Sequence, residues 1–352
     1  MTEITRMHRR KFLVGTTAAA AGIAALGITG AAQAPAAPAA GGQAPAGGRG
    51  GRAGGGAAGG GRGRGGGNIP AEKLARISIM TLNFNSAGIL KFPWTTNPRE
   101  TQTVDILDLP QYQMDNYGVP NMEFQTDHLC LDPERNLPDP EFFKQVRAKL
   151  DAAKVNASQI NLEIGGMGNL TGDPRAAYMT RAKKWVDLAP ILGVKRLMVI
   201  QDGLAENTKA NCISVWKEVQ DYARPQGIMI SAETRGGGGG GRRGAAGASA
   251  ATPAPPTRPA WMLLEEVIEA AGGYSNVDIG GAAAADQQAL HDCIKGMFAR
   301  SSGNMHIKSS PNWDIGLAVK FTESLGYKGL YSIEVNPDPA IRMVFNTLVA
   351  NL

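Results

Sequence analysis

The sequence predicts a (β/α)8 barrel over residues 68–352. Three observations predict it: eight short apolar runs, amphipathic stretches between them, and glycine turns just before several of the runs. In chain order the runs are 77–84 (ISIMTLNF), 119–125 (VPNMEFQ), 159–164 (QINLEI), 196–201 (RLMVIQ), 228–233 (IMISAE), 276–279 (NVDI), 304–308 (NMHIK) and 330–335 (LYSIEV). Helix-like patterns fill 139–154, 174–192, 208–225, 261–271, 285–299 and 315–325. Gly193, Gly227 and Gly326 follow three of these stretches, and a glycine past a helix end supplies the left-handed cap of an αβ turn. This alternation suits a (β/α)8 TIM barrel, and an open doubly wound sheet is the alternative arrangement of the same units.

The compositional bias lies outside these units. Of the 46 glycines, 16 fall between Gly41 and Gly67 and eight between Gly236 and Gly247. Residues 1–34 read as a cleaved export signal, with Arg9-Arg10-Lys11, a weakly apolar run and the small-x-small site Ala32-Gln33-Ala34. Paired arginines point to the twin-arginine route, hence to a periplasmic or secreted protein exported folded, a route that would let a metal be loaded before export. The apolar run is rich in Ala, Gly and Thr, so no stable membrane anchor is expected after cleavage. Residues 35–67, almost wholly Ala, Pro, Gly and Arg without a period, read as a disordered linker. A second low-complexity tract, 236–259, follows the fifth run and lengthens a loop on the C-terminal face, where barrels of this class build active sites.

The net charge of +5 does not indicate a nucleic-acid partner. Residues 1–67 carry eight basic side chains against one acid, and the remainder carries 28 against 30. With Arg235, Arg242, Arg243 and Arg258 assigned to the second tract, the folded body stands near −6. A phosphate-tracking groove needs basic density on the fold itself. Cys130, Cys212 and Cys293, odd in number and widely spaced, form neither a disulfide framework nor a thiolate metal cluster and are expected to be buried small residues.

Each of the last four runs carries a charged or ionisable residue toward its end: Glu233, Asp278, His306 and Glu334. Barrel interiors prefer branched apolar side chains, so polar residues arriving at one rim from four consecutive strands need a reason. Three carboxylates packed together without a cation would repel and partly protonate, whereas with one imidazole they make an oxygen-rich divalent metal site. Such a set suits Mn²⁺, Mg²⁺ or Co²⁺, and Zn²⁺ stays open. Further rim candidates for substrate contact are Glu123 and His128 after strand two, Glu163 on strand three, Gln201 and Asp202 after strand four, and Lys308 beside His306. Each of these also has a plain reading as a loop hydrogen-bonder or solvated charge. Trp94 or Trp313 is placed to stack on a sugar ring or to pack, and His291 is expected on a helix surface.

The stretches 227–233 (GIMISAE), 277–280 (VDIG), 305–308 (MHIK) and 326–334 (GYKGLYSIE) resemble, in order, the xylose isomerase-like TIM-barrel superfamily. This superfamily is also called sugar phosphate isomerase/epimerase; it includes tagatose and psicose 3-epimerases and, more distantly, endonuclease IV. The resemblance extends from about residue 77 to the C-terminus. It implies that Glu233, Asp278, His306 and Glu334 hold one divalent metal that chelates adjacent oxygens of a ketose. It also implies that Glu233 and Glu334 exchange a proton with the substrate carbon through an enediolate. Two family features are missing: a histidine three residues after the strand-six aspartate, where Gly281 stands, and a substrate-binding arginine after the strand-seven histidine.

The resulting expectation is an exported, metal-dependent isomerase, epimerase or related lyase acting on a small sugar or keto-sugar, with a homo-oligomer left open. The rivals are a non-catalytic carbohydrate-binding barrel and an endonuclease IV-like hydrolase. The latter asks for more histidines than the four present and for a basic groove.

Overall fold

The computed structural model describes residues 69–132, 134–234, 258–282, 284–334 and 340–352. The export signal, the linker and nearly all of the 236–259 tract lie outside the described residues. Apart from short helical turns and a two-stranded sheet of Leu90–Lys91 with Val104–Asp105, barrel strand and outer helix alternate: β1 (Ile77–Met80), α1 (Leu109–Tyr117), β2 (Asn121–Gln125), α2 (Pro140–Ala153), β3 (Asn156–Gly166), α3 (Gly172–Leu188), β4 (Arg196–Ile200) and α4 (Lys209–Ala223). The second half repeats the pattern with β5 (Met229–Glu233), α5 (Ala260–Ala271), β6 (Tyr274–Asn276), α6 (Gln287–Met297), β7 (Asn304–Ile307), α7 (Ile315–Ser324), β8 (Leu330–Ile333) and α8 (Ala340–Asn351). Among the described residues no helix is long and apolar enough to cross a membrane.

The strands pair in parallel in the order β6-β5-β4-β3-β2-β1-β8-β7. The remaining gap, between β6 and β7, is bridged in parallel at Ser275–Ser301 and Asp278–His306. Three backbone hydrogen bonds cross it: Ile279 N to His306 O at 2.8 Å, His306 N to Val277 O at 3.0 Å and Ser302 N to Ser275 O at 2.9 Å. The ring is therefore closed, and the doubly wound sheet is excluded. This closure also explains why the sixth strand is Tyr274–Asn276 and not the expected 276–279. Residues 277–279 leave the β5 ladder and turn their backbone toward β7.

Helix ends follow local chemistry. Asp139, Asp286 and Asp314 cap α2, α6 and α7 by accepting from Phe142 N, Ala289 N and Gly316 N at 2.8, 2.9 and 2.7 Å. Gly193, Gly227 and Gly326 adopt the expected left-handed φ of 73°, 69° and 87°. The first run does not stay extended to residue 84. Thr81–Ser86 is a helical turn, because Asn83 Nδ2 donates to Met80 O at 2.9 Å and the Thr81 hydroxyl pairs with His128 Nδ1 at 2.8 Å. Such side-chain bonds offer the backbone an alternative to the ladder. Two helices beyond the six expected, α1 and α8, complete the outer ring.

The core lies mainly between strands and helices, where Trp185, Trp216, Tyr178, Phe124 and Phe143 are fully buried. Cys130, Cys212 and Cys293 are free and buried. The barrel interior departs from the branched apolar filling expected of it. Ser78, Glu123, Gln159, Asn161, Ser231, Asn276, Asn304, His306 and Ser332 are all buried, and several bond to one another across the barrel. Such an interior is tolerable because most of its polar groups find partners.

At the C-terminal rim the loops after β3 and β4 touch through glycine backbones. A Cβ on Gly168 would lie 2.1 Å from Gly203 O and 2.8 Å from Gly203 Cα. A Gly168→Ala variant is therefore expected to lose about 1–3 kcal/mol of stability in denaturant unfolding, with backbone and not a flexible side chain forced to move. Unchanged stability would show that the two loops do not pack this closely.

Candidate metal centre

Glu233 is the last residue of β5, His306 lies in β7 and Glu334 is the first residue beyond β8, so a parallel barrel delivers all three to one rim. All three are buried. His306 Nδ1 lies 2.8 Å from Glu233 Oε2 and 3.1 Å from Glu334 Oε2. One ligand atom from each residue falls within 4.8 Å of the other two. Donors bound to one divalent ion at about 2.0–2.2 Å stand roughly 3–4 Å apart, so this set fits a cation with small adjustments.

Asp278 stands beside these three residues but outside the group. Its Oδ1 accepts from Gly280 N at 3.1 Å and Gly281 N at 2.8 Å, and its Oδ2 pairs with Lys308 Nζ at 2.8 Å. Lys308 also reaches Glu334 Oε2 at 3.4 Å. The missing family histidine has a steric explanation in this loop. A Cβ on Gly281 would lie 1.9 Å from Asp278 Oδ2 and 2.8 Å from Lys308 Cε. The Asp278 carboxylate and the Lys308 side chain take the space that a longer residue at 281 would need.

On the other side of His306 is Glu123. It was expected after strand two as a rim residue, but it lies within β2 with no exposed surface. Its Oε1 lies 2.6 Å from His306 Nε2 and accepts from Gln159 Nε2 at 3.0 Å, while Oε2 accepts from Asn304 Nδ2 at 3.0 Å. The alternation Asn121, Glu123, Gln125 along β2 is the signal that could have placed it inside, since every second residue of a strand shares a face.

Burial alone would push the His306 imidazolium toward its neutral form, but the Glu123 and Glu334 carboxylates hold its pKa well above the ordinary imidazole range. Burial likewise opposes ionisation of Glu123, yet His306 holds its pKa below the usual glutamate value. Burial would lower the Lys308 pKa, and Asp278 with Glu334 and Glu233 raises it instead, so its ammonium stays charged.

The other rim candidates are spread out. Glu163 lines a cleft of about 320 Å³ together with Trp94, Asp127, Asn136 and Arg181. Gln201 Nε2 donates to Glu233 O at 2.6 Å, steadying the backbone that carries this candidate ligand. His128 has no exposed surface; it bonds Thr81 and lies against Phe92 with centroids 4.9 Å apart. Trp313 packs and donates to Ile279 O at 2.7 Å. His291, on α6, stacks on Phe321 at 4.2 Å.

No protein-family model and no curated protein sequence matches this chain. Solved structures do match. A xylose isomerase domain protein from Planctomyces limnophilus aligns at 14% identity and TM-score 0.54, covering 79% of this chain and 98% of its own. A sugar phosphate isomerase/epimerase from Parabacteroides distasonis aligns at 14% identity and TM-score 0.53, covering 79% and 94%. A family 2 AP endonuclease from Brucella melitensis aligns at 15% identity and TM-score 0.53, covering 76% and 96%. By its closed ring of eight parallel strands and by these likenesses, the chain has the fold of the xylose isomerase-like TIM barrels.

Proposed function

We propose that this chain is an exported, divalent-metal-dependent isomerase or epimerase, or a related lyase, acting on a sugar or keto-sugar through an enediolate. The observation that carries the reading is the convergence of buried Glu233, His306 and Glu334 at the rim where barrels of this kind do their chemistry. Two of the structural relatives are described as a xylose isomerase domain protein and a sugar phosphate isomerase/epimerase, which favours the same class. The third, an AP endonuclease, is a poorer guide: His128 and His291 lie apart from the metal centre and the body of the chain carries net negative charge.

Glu233, His306 and Glu334 are assigned as the residues that would hold the cation, and Asp278, whose Oδ2 is paired with Lys308, would join them only if that ion pair opened. The bound cation supplies Lewis acidity that stabilises negative charge developing on the substrate oxygens. Glu233 and Glu334 each take or return the proton of the substrate carbon, one on each face. Lys308, its charged ammonium beside Glu334, is positioned to contact substrate oxygen at the open side. Glu163 and Trp94, which line one cleft, are assigned to sugar contacts. Export of residues 35–352 by the twin-arginine route would separate the enzyme from cytoplasmic sugar phosphates, so unphosphorylated substrates are favoured.

The test is metal analysis of the purified, folded protein together with solvent-deuterium incorporation into a panel of keto-sugars. The expected result is one tightly held divalent ion per chain and label at the carbon next to a carbonyl. Metal-free protein that binds sugars without exchanging protons would instead identify a carbohydrate-binding barrel.

A further inference from the structure

Glu123 has no part in the reaction just described, yet it is a fully buried carboxylate touching the centre's only imidazole. Three donors converge on it. Gln159 and Asn304 place amide N–H groups on its two oxygens, and His306 Nε2 approaches Oε1 at 2.6 Å. An acceptor-only group suits this position, so the hydrogen between Glu123 and His306 belongs on Nε2. The bond also spans the barrel, from β2 to β7, and pins the ring in one orientation.

We infer that Glu123 is a positioning residue for His306: by accepting the Nε2–H it keeps that proton in place, so that Nδ1, facing Glu233 and Glu334, is the nitrogen that would give up its proton to a cation, and its charge makes that nitrogen a better metal donor. Carboxylates behind metal-binding imidazoles act in this way in general. The inference rests on the metal reading above.

A Glu123→Gln substitution is a discriminating variant because the pocket can accommodate it. The Gln amide oxygen still accepts from His306 and Gln159. Its NH2 would meet Asn304, whose Oδ1 has no hydrogen-bond partner and can turn to receive it. Shape and hydrogen bonds are kept while the charge is lost.

Binding of Co²⁺ by the full chain, read by chelator competition and by the visible spectrum, is expected to be about 10- to 100-fold weaker in Glu123→Gln than in the wild type. Equal affinity in the two proteins would overturn the inference while leaving the metal reading intact, whereas a wild-type protein that takes up no divalent metal overturns both. Should the variant fold poorly, ¹⁵N-imidazole spectra of the wild type loaded with Zn²⁺ decide the matter. A proton on His306 Nε2 supports the assignment, and a proton on Nδ1 with metal on Nε2 refutes it.

Discussion

With saturating divalent metal, Glu233→Gln and Glu334→Gln are each expected to slow conversion of a keto-sugar by about 10²- to 10⁴-fold, the usual worth of a positioned proton-transfer group. The amide keeps an oxygen for the cation but cannot carry the proton. Because one carboxylate is assigned to each face of the reacting carbon, the two variants should differ in a specific way. Each keeps slow deuterium exchange only with the epimer whose proton faces the surviving carboxylate. Product analysis by NMR in D2O separates the two patterns. Wild-type conversion in either variant would remove that residue from the proton-transfer pair, and identical exchange patterns in both would remove the two-face arrangement.

A second large effect is expected in acid and comes from His128. Burial lowers its pKa from 6.5 to about 4, only partly offset by the neighbouring Asp127 carboxylate. The folded chain therefore holds this ring neutral, while the unfolded chain protonates it near its ordinary value. The sign follows from linkage: the contribution is fully present above pH 6.5 and drains away as the pH falls toward 4. Over that window it amounts to about 3 kcal/mol, at 1.36 kcal/mol per unit. Urea unfolding at a series of pH values is expected to show this loss in the wild type. In His128→Gln, whose side chain can still bond Thr81 but does not titrate, that part of the pH dependence should vanish. Parallel pH profiles for the two proteins would mean that the ring is hydrated or already charged when folded. His306 works in the opposite sense in metal-free protein, because its raised pKa favours the folded state below its ordinary value and that support is lost as the pH climbs.

Much of the centre was legible in the chain because strands have a two-residue period and parallel barrels present their C-terminal ends together. Glu233, His306 and Glu334 stand toward the ends of the fifth, seventh and eighth runs, and the structure brings them to one point. Glu123, expected among the rim residues, lies inside the barrel for an equally physical reason. Its run begins with Val119-Pro120 and was read as ending in a rim loop, whereas β2 starts at Asn121 and carries Glu123 inward. The helices α1 and α8 were missed for want of local contrast: LPQYQMDNY has little apolar periodicity, and AIRMVFNTLVAN follows a stretch with two prolines at 337 and 339.

The pairing of Asp278 with Lys308 was outside the reach of pattern reading. Lys308 is two residues beyond His306, and nothing in that spacing says that its ammonium folds back over the strand-six loop. The contact exists because Gly281 leaves room for it and because Asp278 is buried where an unpaired charge would be costly.

Order along the chain thus determined the architecture and the chemical type of the rim, since both follow from periodicity and from which residues end successive strands. Only the closed barrel decided the partners. Contacts such as His306 with Glu123, 183 positions apart, arise where strands from opposite sides of the ring aim side chains into one small, water-poor space. There the choice of neighbour is set by distance and desolvation, neither of which is written in local sequence.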